Sequence, residues 1–174
     1  MLIDLTYFEG ELAIAQLSQD AVIAKVNYFI NKYENVVLDK LLGIDLRVAF
    51  LAGLAEPIPL QKWLDLRDGK VYEVDNKKRE WLGFQNAKKL SLIANYVYYH
   101  YGVDLATTAT GSGFAVPENE NALKDLKYIK LSRAWNELVD YSHSLFDFLE
   151  ANKADYDWDY LADREFEKIN AFNL

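Results

Sequence analysis

The chain contains no cysteine and only two histidines, His100 and His143. The first absence removes disulfides, a thiol nucleophile and thiolate metal sites. The second leaves little material for imidazole chemistry. Proline occurs three times, at Pro57, Pro59 and Pro117, so its power to interrupt helices is confined to two places. No apolar run approaches the ~18 residues of a membrane-spanning helix. The opening MLIDLTYFEGEL has no basic start and carries Asp4, Glu9 and Glu11 within its apolar run, which argues against a signal peptide. Positive charge is also scarce. Lys and Arg total 19 against 27 Asp and Glu, a net charge of −8, so a phosphate backbone is repelled overall. A dedicated nucleic-acid binder is thereby disfavoured, whereas a protein past which DNA slides without being gripped is not.

What is present is a folded-protein composition. The 51% hydrophobic and 26% charged fractions, over 174 residues, predict one domain with a substantial core. Aromatic content is high, with 12 Tyr, 9 Phe and 4 Trp. Such residues serve both cores and protein–protein interfaces, and core is the safer assignment for any single one.

The pattern predicts an all-α fold, a helical bundle with a long helix in its C-terminal half. Residues 1–17 read as an extended N-terminal arm turning at Gly10. Ser18 or Asp20 then caps a helix whose stripe is Val22, Val26, Phe29, Ile30, Tyr33, Val37 and Leu41, with Asn35 as a point of division and Gly43 as its end. Ile44–Leu54 reads as a short helix closed by Gly53, followed by a non-helical link at Pro57 and Pro59. Asp68-Gly69 is a turn signal between LDL and VYEV. It allows a small β-hairpin around residues 64–74, or a short helix running into a turn. Asn76–Arg79 reads as a polar link.

From Trp81 to Gly102 an apolar seam of Ala87, Leu90, Ala94, Val97 and Tyr101 predicts a second major helix. A Thr/Gly loop over Thr107–Gly113 follows, without periodicity. Pro117 then precedes a helix predicted to run unbroken from Glu118 to Glu150. Its heptad-like seam is Leu131, Trp135, Leu138, Ser142, Leu145 and Leu149. At ~1.5 Å per residue this helix is roughly 50 Å long, longer than a compact domain of this size, and is expected to need something else to cover it. Residues 151–174 read as an acidic tail with a last amphipathic helix through Leu161, Phe166 and Ile169.

Catalytic and metal signatures are weak. Asp155-x-Asp157-x-Asp159 begins like a calcium loop, but Tyr160 and Phe166 stand where the turn glycine and final carboxylate belong. Gly111-Ser112-Gly113 is followed by Phe114-Ala115 rather than the Lys and Ser/Thr of a phosphate-binding loop. His143 lies near Asp140 between two serines, and a hydrolase or ligand-binding domain using His143, Asp140 and His100 is one alternative. Neighbours on one helix point apart, however, so both histidines read as structural. No cofactor and no metal are expected. A third alternative is a cytoplasmic module that binds a partner helix.

Charge is distributed unevenly. Between Asn121 and Arg133, Lys124, Lys127, Lys130 and Arg133 are opposed by Asp125 alone. From Asp140 to Glu167 nine acidic residues face only Lys153 and Arg164. A basic strip and an acidic end on one element can pair between identical subunits, and heterologous contacts of that kind close into rings. The competing reading is an ordinary solvated helix face.

Three stretches, FINKYENVVLDKLLG (Phe29–Gly43), WLGFQNAKKLSLIANYVYYHY (Trp81–Tyr101) and ATTATGSG (Ala106–Gly113), lead into ENENALK and RAWNELV. Together they resemble the head–tail connector-like proteins of tailed bacteriophages and prophages. The resemblance implies an all-α, non-enzymatic adaptor that forms a homo-oligomeric ring, often twelve-fold, in the virion between portal and tail. Its partners would be further copies, the portal protein and a tail or connector protein, with DNA passing through the lumen and no membrane. Synthesis would take place in the bacterial cytoplasm. On this reading the candidate subunit or portal contacts are Lys124, Lys127, Lys130, Arg133, Trp135, Asp155, Asp157, Asp159, Thr107, Thr108 and Phe114.

Overall fold

Residues 20–42 form one continuous helix, α1 (Asp20–Leu42), and Asn35 does not divide it. The computed structural model describes residues 1–106, 108–110, 113–115, 121–158 and 166–170, with residues 106–127 described by their backbone only. Asp20 sits in the first turn of α1, where a carboxylate suits the helix dipole, and neither it nor Ser18 is the capping residue. The helix ends at Gly43, at φ +79°, whose N–H donates to the Asp39 carbonyl. Val26, Phe29, Ile30, Val37 and Leu41 of the expected stripe are buried, joined by Leu38, Leu42 and one acid, Glu34.

Glu34 explains the N-terminus. Its carboxylate accepts hydrogen bonds from the backbone N–H groups of Leu2 (2.8 Å) and Ile3 (3.3 Å). The segment expected to be an extended arm is instead packed into the core. It forms two 3-10 turns, Leu5–Tyr7 and Gly10–Leu12, and buries Leu2, Ile3, Tyr7, Phe8 and Leu12. Apolar residues at irregular spacing can still be core residues when a long-range carboxylate satisfies the backbone between them.

Helix α2 (Ile44–Ala55) follows directly. Gly53 lies inside its last turn rather than closing it. The Trp63 indole covers Gly53 so closely that an added Cβ would come within 2.0 Å of Nε1. Trp63 belongs to α3 (Gln61–Asp68), which ends at Gly69. Asp68-Gly69 is thus a helix terminus and not the hairpin turn. The hairpin pairs β1 (Lys70–Val74) with β2 (Lys77–Trp81), in register from Lys70↔Trp81 to Val74↔Lys77. It turns at Asp75 and Asn76, both at positive φ (51° and 59°). Asp and Asn tolerate that region, as a two-residue hairpin turn requires. The predicted polar link is therefore mostly the second strand.

The second major helix, α4 (Leu92–Ala106), begins eleven residues later than Trp81. Local side-chain bonds hold residues 82–91 out of helix. The Asn86 carboxamide accepts from Leu90 N–H and donates to the Leu82 carbonyl, while the Ser91 hydroxyl accepts from Ile93 N–H and donates to the Phe84 carbonyl. Ala87 and Leu90 are consequently outside the helix. Leu92, Ile93, Ala94, Tyr96, Val97 and Tyr101 are buried on several sides, because α4 packs against both α1 and α5.

Two short strands, β3 (Thr108–Thr110) and β4 (Gly113–Ala115), pair antiparallel where an aperiodic loop was expected. Helix α5 (Asn121–Ala151) is 31 residues, about 46 Å. Its seam residues Leu131, Leu138, Ser142, Leu145 and Leu149 are buried by α4, β2 and the rest of the same chain. The expectation that this helix depends on another molecule to cover it therefore fails from Leu131 onward. A short helix, α6 (Lys153–Tyr156), follows. Residues 166–170 are non-helical, contrary to the predicted amphipathic helix, and Leu161 lies outside the described residues. This segment docks on α5, where Asn136 exchanges two hydrogen bonds with the Ile169 backbone at 2.8 and 3.0 Å.

Candidate functional site

Of the residues singled out from sequence as contacts, those whose side chains are described lie apart, on α5 and in or next to α6. Trp135 is half-buried within its own chain, between Tyr99 and Phe166, and its indole N–H donates to the Glu167 carbonyl at 2.8 Å. Lys130 and Arg133 are exposed on α5. Lys124 and Lys127 occupy the same helix, but their side chains lie outside the described atoms, as do those of Thr108 and Phe114 on β3 and β4. Thr107 and Asp159 lie outside the described residues altogether. Asp155 and Asp157 are exposed, Asp155 on α6 and Asp157 just after it at φ +47°. Among the described residues no three His, Asp or Glu side chains gather as a metal site.

The two histidines have separate surroundings. His143 is exposed on α5, and its neighbour Asp140 is paired with Lys168 at 2.7 Å. His100 lies in an aromatic cluster on α4, beside Tyr33, Tyr96 and Tyr99. Its Nε2 is buried with no hydrogen-bond partner among the described residues. Burial, and then the charges of Lys32 and Lys40, hold its pKa below the ordinary histidine value. A neutral ring in such a place is a packing element.

Sequence reasoning missed a cleft of about 460 Å³ between the N-terminal turns, α4 and α5, lined by Tyr7, Glu11, Lys89, Asn95, Glu137 and Tyr141 among others. Burial, reinforced by the neighbouring Glu11 carboxylate, raises the Glu137 pKa above the usual carboxylate range. Asn95, itself buried, points its amide nitrogen at Glu137 from 3.4 Å. The Glu11 and Glu137 carboxyl groups can share a proton, and among the described residues the cleft is lined by neither histidine nor serine. No sequence signal marks it, since Glu11 and Glu137 are brought together only by the folding of the N-terminal segment.

A second feature is an uncovered apolar face. Helix α2 is hydrophobic nearly all round: IDLRVAFLAGLA contains only Asp45 and Arg47 as charged residues. Leu46 and Phe50 are buried, yet Ile44 and Val48 on the other side are 65% and 52% exposed. The link beyond α2 adds Ile58 and Leu60, 88% and 63% exposed. These side chains leave apolar surface exposed along α2 and the link beyond it, and exposed apolar surface that is contiguous marks interaction sites. A helix that is apolar all round is ordinarily enclosed; this one is enclosed on one side only.

Comparison with known proteins matches the chain to no family model, no curated protein and no solved structure.

Proposed function

We propose that this chain is a structural adaptor of a phage virion, assembled as a ring at the head–tail junction between portal and tail, with DNA passing through its lumen. The observation that carries the reading is the apolar face of α2, left open at Ile44 and Val48 opposite the buried Leu46 and Phe50. A second uncovered region, Tyr128 and Ile129 near the start of α5, adds to it. Surfaces of this kind suit association with other subunits. The net charge of −8 suits a channel wall, because fixed Lys and Arg contacts would hold the phosphate backbone and slow its passage. The resemblance of Phe29–Gly43, Trp81–Tyr101 and Ala106–Gly113 to connector-like proteins supplies the specific role.

The test is co-expression of the chain with any portal protein found in the same genome, followed by co-purification and native mass spectrometry. The expected product is a complex carrying multiple copies of the chain on the portal ring. A chain that never binds portal, at any stoichiometry, would overturn the assignment.

A further inference from the structure

The open face of α2 has a specific complement elsewhere on the same molecule. On α2, Ile44, Val48, Ala52 and Ala55 recur one or two turns apart along one side, with the half-buried Leu51 beside them. Ala52 and Ala55 are small and exposed, so a second helix can approach closely, toward the ~8 Å end of helix-packing distances. Asp45 and Glu56 lie eleven positions apart, which is three turns and places both along one edge of that face, about 16 Å from end to end. Both are exposed, and neither makes an ion pair among the described residues. The face is apolar in the middle and acidic along one rim.

The start of α5 has the inverse character. Tyr128 and Ile129 are each 40% exposed. Arg133 follows Ile129 by one turn, and Lys130 sits beside them. Both cations are exposed and neither is in an ion pair among the described residues. Each surface by itself is a helix side with exposed apolar residues, acidic at the α2 edge and basic at Lys130 and Arg133, where Arg133 also feels Glu137 one turn on. Opposed, they bury the apolar groups and pair the charges.

We propose that the α2 face of one copy receives the Lys130–Arg133 side of α5 from a second copy, with Val48 packed against Ile129 and the acidic Asp45–Glu56 edge facing Lys130 and Arg133. The two surfaces are different, so the contact is heterologous: any open assembly keeps one free α2 face and one free α5 side, and growth stops where the rotation closes a ring. The inference deepens the adaptor reading and rests on it for ring closure, whereas the contact between two copies can be measured without a portal.

Because the chain has no cysteine, introduced cysteines report on this contact without background. Two full-length variants, Val48→Cys and Ile129→Cys, place single thiols at exposed positions, and Lys77→Cys on the hairpin serves as an exposed control. Circular dichroism confirms that each is folded. On mixing at high concentration under mild oxidation, the expected product is the mixed Val48–Ile129 disulfide dimer, in at least about tenfold excess over either mixture containing the control. Adding Asp45→Lys and Glu56→Lys to the first chain should lower that yield about tenfold, and Lys130→Glu with Arg133→Glu on the second should restore it. A mixed yield no greater than the control overturns the proposal. So does a dominant Val48–Val48 dimer, which would mean that α2 packs on its own copy. Portal binding without the mixed disulfide sinks this contact and leaves the adaptor reading standing. The mixed disulfide without portal binding does the reverse.

Discussion

His100 lies flat on Tyr33, with ring centroids 4.3 Å apart and planes 10° from parallel. The stack joins α4 to α1, and protonation of the imidazole is disfavoured there, since Nε2 has no hydrogen-bond partner among the described residues and Lys32 and Lys40 are nearby. A histidine whose folded pKa is depressed contributes stability that is present above pH 6.5, its unfolded value, and is lost as pH falls through the lower folded value. His100→Phe keeps an aromatic ring on Tyr33 and removes the titration. Its denaturant midpoint should fall less steeply than the parent's below pH 6.5. Identical acid slopes would show that His100 is solvated in the folded state.

Glu137 works in the opposite sense. Its folded pKa is raised by burial and by Glu11, so its contribution is full below 4.5, the ordinary glutamate value, and is lost as pH rises through the folded value. Glu137→Gln should therefore gain on the parent as pH climbs from 4.5 toward neutrality, and then hold a constant advantage. Glu11→Gln should move stability the same way by a smaller amount, because it removes only the second of the two causes. Urea titrations across that range would decide it, and a Gln variant weaker than the parent at neutral pH would contradict the arrangement.

Replacing Gly53 tests the contact between α2 and α3. Helix propensity alone favours Ala over Gly by ~1 kcal/mol. Here the new Cβ would meet the Trp63 ring at 2.0 Å, and the ring is buried against Phe50 and Tyr156. Gly53→Ala should consequently destabilise the fold by about 1–3 kcal/mol, as overpacking does. An unchanged or raised melting temperature would mean that Trp63 moves freely.

Removing the Glu34 carboxylate should release the N-terminal segment. Glu34→Ala leaves the Leu2 and Ile3 amides without their acceptor, at a cost of about 1–3 kcal/mol. Hydrogen exchange at residues 2–12 should accelerate more than exchange in α4. Glu34→Gln, which retains one carbonyl acceptor, should recover part of the loss. Uniform exchange across both regions would show that the segment is held by its apolar side chains alone.

Much of the helical framework was readable from residue order. The stripe from Val26 to Leu41, the stop at Gly43 and the seam from Leu131 to Leu149 depend on a 3.6-residue period, which a helix preserves whatever packs against it. The hairpin was legible only in kind. Asp68-Gly69 and Asp75-Asn76 are both turn-formers, and the first was spent on ending α3, where Gly69 supplies the N–H donated to Asp65. The start of α4 was misread because Ala87 and Leu90 continue the helical spacing, while Asn86 and Ser91 divert the backbone with short-range bonds that spacing does not register.

Composition and periodicity by themselves determined a helical, cysteine-free, acidic chain whose longest helix occupies its C-terminal half. Only the tertiary structure decided which apolar surfaces are used up. It buries the Leu131–Leu149 seam and the N-terminal segment, draws Glu11 beside Glu137, and leaves α2 open at Ile44 and Val48. The physical reason is that a helix records which residues share a face, whereas what covers that face depends on neighbours distant in sequence. Glu34 reaches Leu2 across 32 positions, and no local pattern encodes such a reach.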